Sequence, residues 1–313
     1  MWEAQRYEQL RPMEASPAGP PAARPGRTPP VGPPVLRLLH RCANYLVIDK
    51  PPDVRIDGDH AHTTQKMLQD AFPDLASELR HCHQLDYATS GVMCYALSRQ
   101  AAAAASWLFE HRHTEKAYLA LVEGHMADER AESVLPIADD PNHDFKMMIG
   151  TPEVPGRAAE TVVIRLAVGQ YHGRDVSKVQ LQPRTGRRHQ LRLHCAALGH
   201  PIVGDATYGD DTESQRMMLH AWKLVLPFSQ VPPKRRGVRP AKRHRPGGHG
   251  GGGGGGGGGD RGGGSMAAQH GKATAQVTEQ PAAIPAEDLV IESDDPFSEM
   301  LAEPTKGRLP KTE

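Results

Sequence analysis

Little in this chain of 313 residues supports a disulfide framework, a zinc ribbon or a membrane span. Its four cysteines, Cys42, Cys82, Cys94 and Cys195, lie far apart with no C-x-x-C pair, which fits a reducing compartment. No apolar run approaches the roughly 20 residues needed to cross a bilayer. The N-terminus lacks the apolar stretch of a secretory signal. Glu3, Glu8 and Glu14 among its arginines speak against a mitochondrial leader. These absences predict an intracellular protein with no membrane partner, cytoplasmic or nuclear rather than mitochondrial.

Glycine and proline are plentiful, but unevenly placed. Prolines crowd residues 12–34, and Gly250 to Gly259 is an unbroken glycine run. Neither stretch buries enough apolar surface to offset its ordering entropy. The expected organisation is a disordered segment over 1–35, one folded domain over 36–228, and a disordered tail over 229–313, first basic and Gly-rich, then acidic. Charge is uneven too. No acidic residue falls between Asp175 and Asp205, whereas Lys178, Arg184, Arg187, Arg188 and Arg192 all do. Such a cluster suits a polyanion or a solvated face. The run from Lys234 to Arg245 reads equally as a solvated stretch, a nuclear-localisation signal or an RNA tether.

Within the domain, Leu46–Ile48, Val92–Leu97, Ala117–Val122, Thr161–Val168, the alternating 178–182 stretch and Met218–Leu226 read as strands. Helices are expected over 64–72, from a Ser98 N-cap to about His111, and over about 188–198, the last stopped by Gly199 and Pro201. The 127–158 region, with prolines at 136, 141, 152 and 155, reads as an extended loop with short strands. Strands outnumber helices without regular strand–helix–strand units. The predicted class is α+β with a largely antiparallel or mixed sheet.

Two segments carry candidate chemistry. His83-Gln84-Leu85-Asp86-Tyr87-Ala88-Thr89-Ser90-Gly91 places a carboxylate before a buried strand, which alone is an ordinary turn composition. Arg184-Thr185-Gly186-Arg187-Arg188-His189-Gln190-Leu191-Arg192-Leu193-His194 brings guanidiniums to a helix N-terminus, an anion-favouring place and also a common solvated face. On that helix Arg188 and Arg192 are expected one turn apart, with Leu191, Leu198 and His194 turned to the core. A zinc site built from His81, Cys82 and His83 is disfavoured, because neighbouring residues of a strand face opposite ways. Thr89-Ser90-Gly91 is not the G-x-S-x-G elbow of a serine hydrolase.

Taken together, in this order, the segments resemble the RluA-type family of RNA pseudouridine synthases. The first matches H-R-L-D-x-x-T-S-G except at Gln84; the second matches T-G-R-x-H-Q-I/L-R-x-H. Lys50-Pro51, Lys116-Ala117-Tyr118, the 199–209 stretch and Leu219-His220-Ala221 agree as well, so the resemblance spans about residues 36–228.

The resemblance implies the pseudouridine synthase fold and the isomerisation of uridine to pseudouridine in RNA. That reaction exchanges an N1–C1′ bond for a C5–C1′ bond without redox change or group donor, so no cofactor and no metal are expected. A flipped uridine of RNA is the implied substrate. By position, Asp86 is the catalytic carboxylate, as nucleophile or charge stabiliser. Tyr118 stacks on the uracil, and Arg192 pairs with Asp86. Gln84 stands where the family arginine contacts the displaced or flipped nucleotide. Arg187 and Lys178 are candidates for phosphate contacts, and Thr89 and Ser90 shape the loop. A monomer is expected. The competing reading is an RNA-binding protein that keeps the fold without catalysis, to which Gln84 lends weight.

Overall fold

The computed structural model describes residues 34–232 and 287–302. The elements are β1 Arg37–Arg41, β2 Tyr45–Lys50, α1 Thr64–Ala71, β3 Arg80–His81, β4 Ser90–Ala96, α2 Arg99–Glu110, β5 Glu115–Glu123, β6 Arg130–Ser133, β7 Ile137–Asp139, β8 Met147–Ile149, β9 Thr161–Tyr171, β10 Arg174–Pro183, α3 Gln190–Ala197, β11 Leu219–Leu226 and β12 Leu289–Glu292. This is the predicted α+β class. Helix starts obey local chemistry: Thr63 Oγ1 accepts from the Lys66 N–H at 3.1 Å, and Ser98 Oγ from the Ala101 N–H at 3.1 Å. The third helix begins at Gln190 rather than near Arg188, because His189 has a left-handed backbone with φ 57°.

One mixed sheet carries the strands in the order β1-β2-β4-β11-β5-β10-β9-β6. Its neighbours are antiparallel except for a short parallel contact of β4 with β11, at Ser90–His220 and Gly91–Ala221. There the backbones come so close that a Cβ on Gly91 would lie 2.2 Å from the Ala221 carbonyl oxygen. Only glycine fits, and its φ of +112° is one that glycine alone adopts readily. Beyond this contact the two strands part. The edge of β4 is taken up by β3, and that of β11 by β12.

The period-two alternation of β5 divides the core. Ala120 and Val122 pack with Val179, Leu181, Leu191 and Cys195 under α3. Leu119 and Leu121 point to the other face, with Tyr171, Met218 and the fully buried Phe297. Phe297 belongs to the stretch expected to be disordered. Residues 287–302 instead add β12 to the edge of β11, bury Phe297, and pair Asp294 with Arg37 and Asp295 with Lys178. Leu289-Val290-Ile291 and Phe297 form a short apolar signal inside an acidic stretch, and an average over the tail dilutes it. The expectations for residues 1–33, for the Lys234–Arg245 run and for the glycine run lie outside the described residues.

Candidate active site

The first motif forms the loop between β3 and β4, and its residues alternate between anchoring and exposure. His83 Nε2 accepts the Cys94 N–H at 3.1 Å, and its ring stacks on Phe109. Burial pulls the His83 pKa down to about 3, so the imidazole is neutral. Leu85 is buried against Leu46, Ile48 and Met93. Gln84, between these two anchors, is exposed, and Asp86 follows with its side chain one-quarter exposed. The loop closes by a bond from the Thr89 N–H to the Asp86 carbonyl, 3.1 Å.

Beneath the loop lies Lys50, fully buried. Its ammonium donates to the carbonyls of Pro51, Tyr87 and Thr89 at 2.9, 3.0 and 2.8 Å. Each proton has an acceptor, so the lysine pins the side of the turn that follows Asp86, although burial lowers its pKa to about 7. Ser90 is held from the other side by His220 Nδ1 at 2.7 Å, and His220 Nε2 meets Ser293 Oγ at 2.7 Å. The C-terminal segment thus reaches the base of the loop. The motif match included Lys50 and His220 but attached no role to them, since neither contact is local in sequence.

The second motif builds the opposing wall. Thr185 Oγ1 donates to Gln190 Oε1 at 2.7 Å, and the Arg187 N–H donates to the same oxygen at 3.0 Å. The Gln190 amide donates to the Glu160 carbonyl and to Thr161 Oγ1. His194 is buried between Thr161 Oγ1 and the Leu135 carbonyl, each at 2.9 Å. Thr185, Gln190 and His194 therefore hold the turn and the helix in place, and one turn of α3 presents Arg192 inward.

Arg192 was expected to pair with Asp86 and to stack beside Arg188. The structure keeps the Asp86 pair, as a secondary contact of 3.5 Å, and corrects the stacking. Arg188 precedes the helix and is exposed, while Arg192 is buried. The main partner of Arg192 is Asp205, which takes its Nε and Nη2 at 2.7 Å each in a bidentate pair. Asp205 also accepts the N–H groups of Thr207 and Tyr208; despite burial, Arg192 first and these bonds second hold its carboxyl below the usual range. The free corner of the guanidinium, Nη1, then lies 3.5 Å from Asp86 Oδ2. Asp86 Oδ1 lies 4.0 Å from His189 Nε2. Among the described residues, no N–H or O–H donates to the Asp86 carboxylate within hydrogen-bond range.

Tyr118 faces the same space from β5, packed beside Leu85 and Ala120. Burial, with the nearby Asp86 charge, raises its phenol pKa, so the ring is neutral. Arg187 and Arg188 stand at the rim of a cavity of about 250 Å³, lined also by Asp139, Met147, Arg157 and Gly186. Arg187 Nε donates to the Ala158 carbonyl at 3.1 Å. Lys178 is placed elsewhere. It lies across from Leu121 in the β5–β10 register, hence on the face away from α3, and its ammonium pairs with Asp295. It is not a candidate phosphate contact.

Comparison with known proteins agrees with this geometry. Residues 44–197 match the family model described as RNA pseudouridylate synthase. The chain is 42% identical over 211 residues to RNA pseudouridylate synthase domain-containing protein 1 of Danio rerio, covering 63% of this chain and 72% of that one. It is 38% identical over 187 residues to the dual-specificity RNA pseudouridine synthase RluA of Vibrio parahaemolyticus, covering 57% and 72%. The solved structure of human RNA pseudouridylate synthase domain containing 1 superposes with a TM-score of 0.56 at 42% identity, over 62% of this chain and 79% of that one. With its fold, its two motifs and these relatives in agreement, the chain belongs to the RNA pseudouridylate synthase family.

Proposed function

We propose that this protein isomerises uridine to pseudouridine in RNA, with Asp86 as the catalytic carboxylate. One observation carries the reading. Asp86 is a partly exposed carboxylate facing a buried arginine and a histidine, yet among the described residues no hydrogen bond engages its oxygens. A carboxylate kept for structure alone has its lone pairs taken, as Asp205 does. An open one beside a fixed cation is able to attack C1′ or to stabilise a cationic sugar once the base leaves its stack.

The other residues take supporting roles. Tyr118, as a neutral phenol, serves as a wall against which the uracil stacks. Arg192 anchors one side of Asp86, while Asp205 fixes the guanidinium. Arg187 contacts the RNA backbone. Gln84 projects from the loop and meets unpaired base edges with its amide, where the family has a guanidinium. The protein acts on RNA as a monomer and within the cell; no helix among the described residues is long and apolar enough to cross a membrane.

The test is direct. Asp86→Asn and Asp86→Ala should abolish pseudouridine formation while RNA affinity stays near wild type. Pseudouridine maps that are the same in cells with and without the wild-type protein would overturn the enzyme reading and leave RNA binding as the function.

A further inference from the structure

His189 belongs to the second motif and stands beside Asp86. It sits at the N-cap of α3 with φ 57°, but its side chain makes no capping bond. A non-glycine residue in the left-handed region, with its ring turned from the helix it starts, calls for another explanation. The ring lies between Tyr208 and Asp86. Nδ1 lies 2.7 Å from the Tyr208 hydroxyl, and that hydroxyl accepts the Met147 N–H at 2.9 Å. With the Met147 amide donating to its oxygen, the Tyr208 hydroxyl has its own proton to offer to Nδ1. A neutral imidazole that accepts at Nδ1 carries its proton on Nε2.

Burial keeps the imidazole neutral by lowering its pKa to about 4. The charge of Asp86 opposes this, Arg192 and Arg188 reinforce it, and Asp205 opposes it weakly. With its proton on Nε2, the imidazole faces Asp86 Oδ1 at 4.0 Å, and Arg192 Nη1 faces Oδ2 at 3.5 Å. One donor therefore stands opposite each oxygen of the carboxylate.

We propose that His189 is a positioning residue for the isomerisation, its Nε2–H aimed by Tyr208 at Asp86 Oδ1 to set the plane of the carboxylate against Arg192. The inference rests on the reading of Asp86 as the catalytic carboxylate. Both contacts are longer than hydrogen bonds in the free protein and shorten when a nucleotide binds, as catalytic contacts commonly do.

The experiment pairs kinetics with imidazole NMR. Asparagine tolerates the left-handed backbone and places an amide near Nδ1, but it has no atom at Nε2. His189→Asn should lower kcat about 100-fold, the scale of a misplaced reacting group, with KM and melting temperature near wild type. Nitrogen-15 shifts of wild-type His189 should show the Nε2–H tautomer. Tyr208→Phe should mix the two tautomers and lower kcat by a smaller factor. Wild-type kcat in a folded His189→Asn variant would overturn the proposal, as would an Nδ1–H tautomer in the wild type. If His189→Asn does not fold, the Tyr208→Phe arm decides. Absence of product from the wild-type enzyme would instead count against the enzyme reading. In that case, movement of the His189 resonances in Asp86→Asn would still support the contact, and their constancy would refute it.

Discussion

Asp205 and Asp86 share one guanidinium and use it in opposite ways. Asp205 is fully buried, takes two hydrogen bonds from Arg192, and accepts two backbone N–H groups as well. Asp86 is one-quarter exposed, meets only the outer corner of the same group at 3.5 Å, and accepts no hydrogen bond within range among the described residues. The first carboxylate orients the arginine, and the second keeps its oxygens open, as the proposed reaction requires. A cation held by one acid offers its remaining edge to another at small entropic cost, because its rotamer is already fixed.

Removing each acid separates the two roles. Asp86→Ala should reduce turnover on the order of 10⁴-fold, as for a reacting group, while its melting temperature stays close to wild type. Asp205→Ala should have its main effect on stability, with a smaller loss of turnover as Arg192 loses its orientation. It strands a buried guanidinium, which costs about 3–5 kcal/mol and lowers the melting point by roughly 10 °C for a domain of this size. Thermal scans beside single-turnover assays would show the two effects on different axes. Equal loss of stability in both variants would erase the distinction.

A comparable loss of stability is expected from the opposite face of the sheet. Phe297→Ala empties a fully buried ring site and should destabilise by about 3–5 kcal/mol, read by chemical unfolding. An unchanged midpoint would mean that residues 287–302 are not part of the cooperative unit.

The two acids also differ in pH dependence. The folded-state pKa of Asp205 is depressed, so its contribution is present above about pH 4 and disappears as pH falls through the lower folded value. Wild type and Asp205→Ala should therefore differ most near neutrality and converge in acid. Buried neutral histidines add a separate slope. His189 and His220 have pKa values lowered to about 4, mainly by burial. Between about 6.5 and 4 the unfolded chain binds protons that the folded chain does not, so stability falls as pH drops through that window. Urea midpoints at pH 7, 5.5 and 4 would check both signs. The smallest effect is expected at Gln84→Arg, a few-fold change in rate or a shift in target set with no change in stability, measured by pseudouridine mapping.

Much of the fold was legible from local pattern. The alternation around Lys178–Gln182, the Ser98 cap and the Gly199 stop correspond to observed elements, since each depends on neighbours close in sequence. The strand at Leu289–Glu292 was not legible, because an edge strand draws its stability from the edge it completes. Lys178 was misplaced for a related reason. Its charge is visible in the sequence, but the face it occupies is set by the register of β10 against β5.

By itself, the sequence determined the family: the order of two motifs pointed to it and marked Asp86, Tyr118 and Arg192 as candidates for one site, with Gln84 as the departure. Tertiary structure alone decided how those groups are held. Asp205 claims Arg192 first, Lys50 pins the Asp86 turn, Tyr208 aims His189, and Ser293 closes the chain through His220 to Ser90. Each of these is a contact between residues distant in the chain or turned by a backbone angle. Hydrogen bonds and ion pairs depend on distance and direction in space, which composition and spacing do not encode.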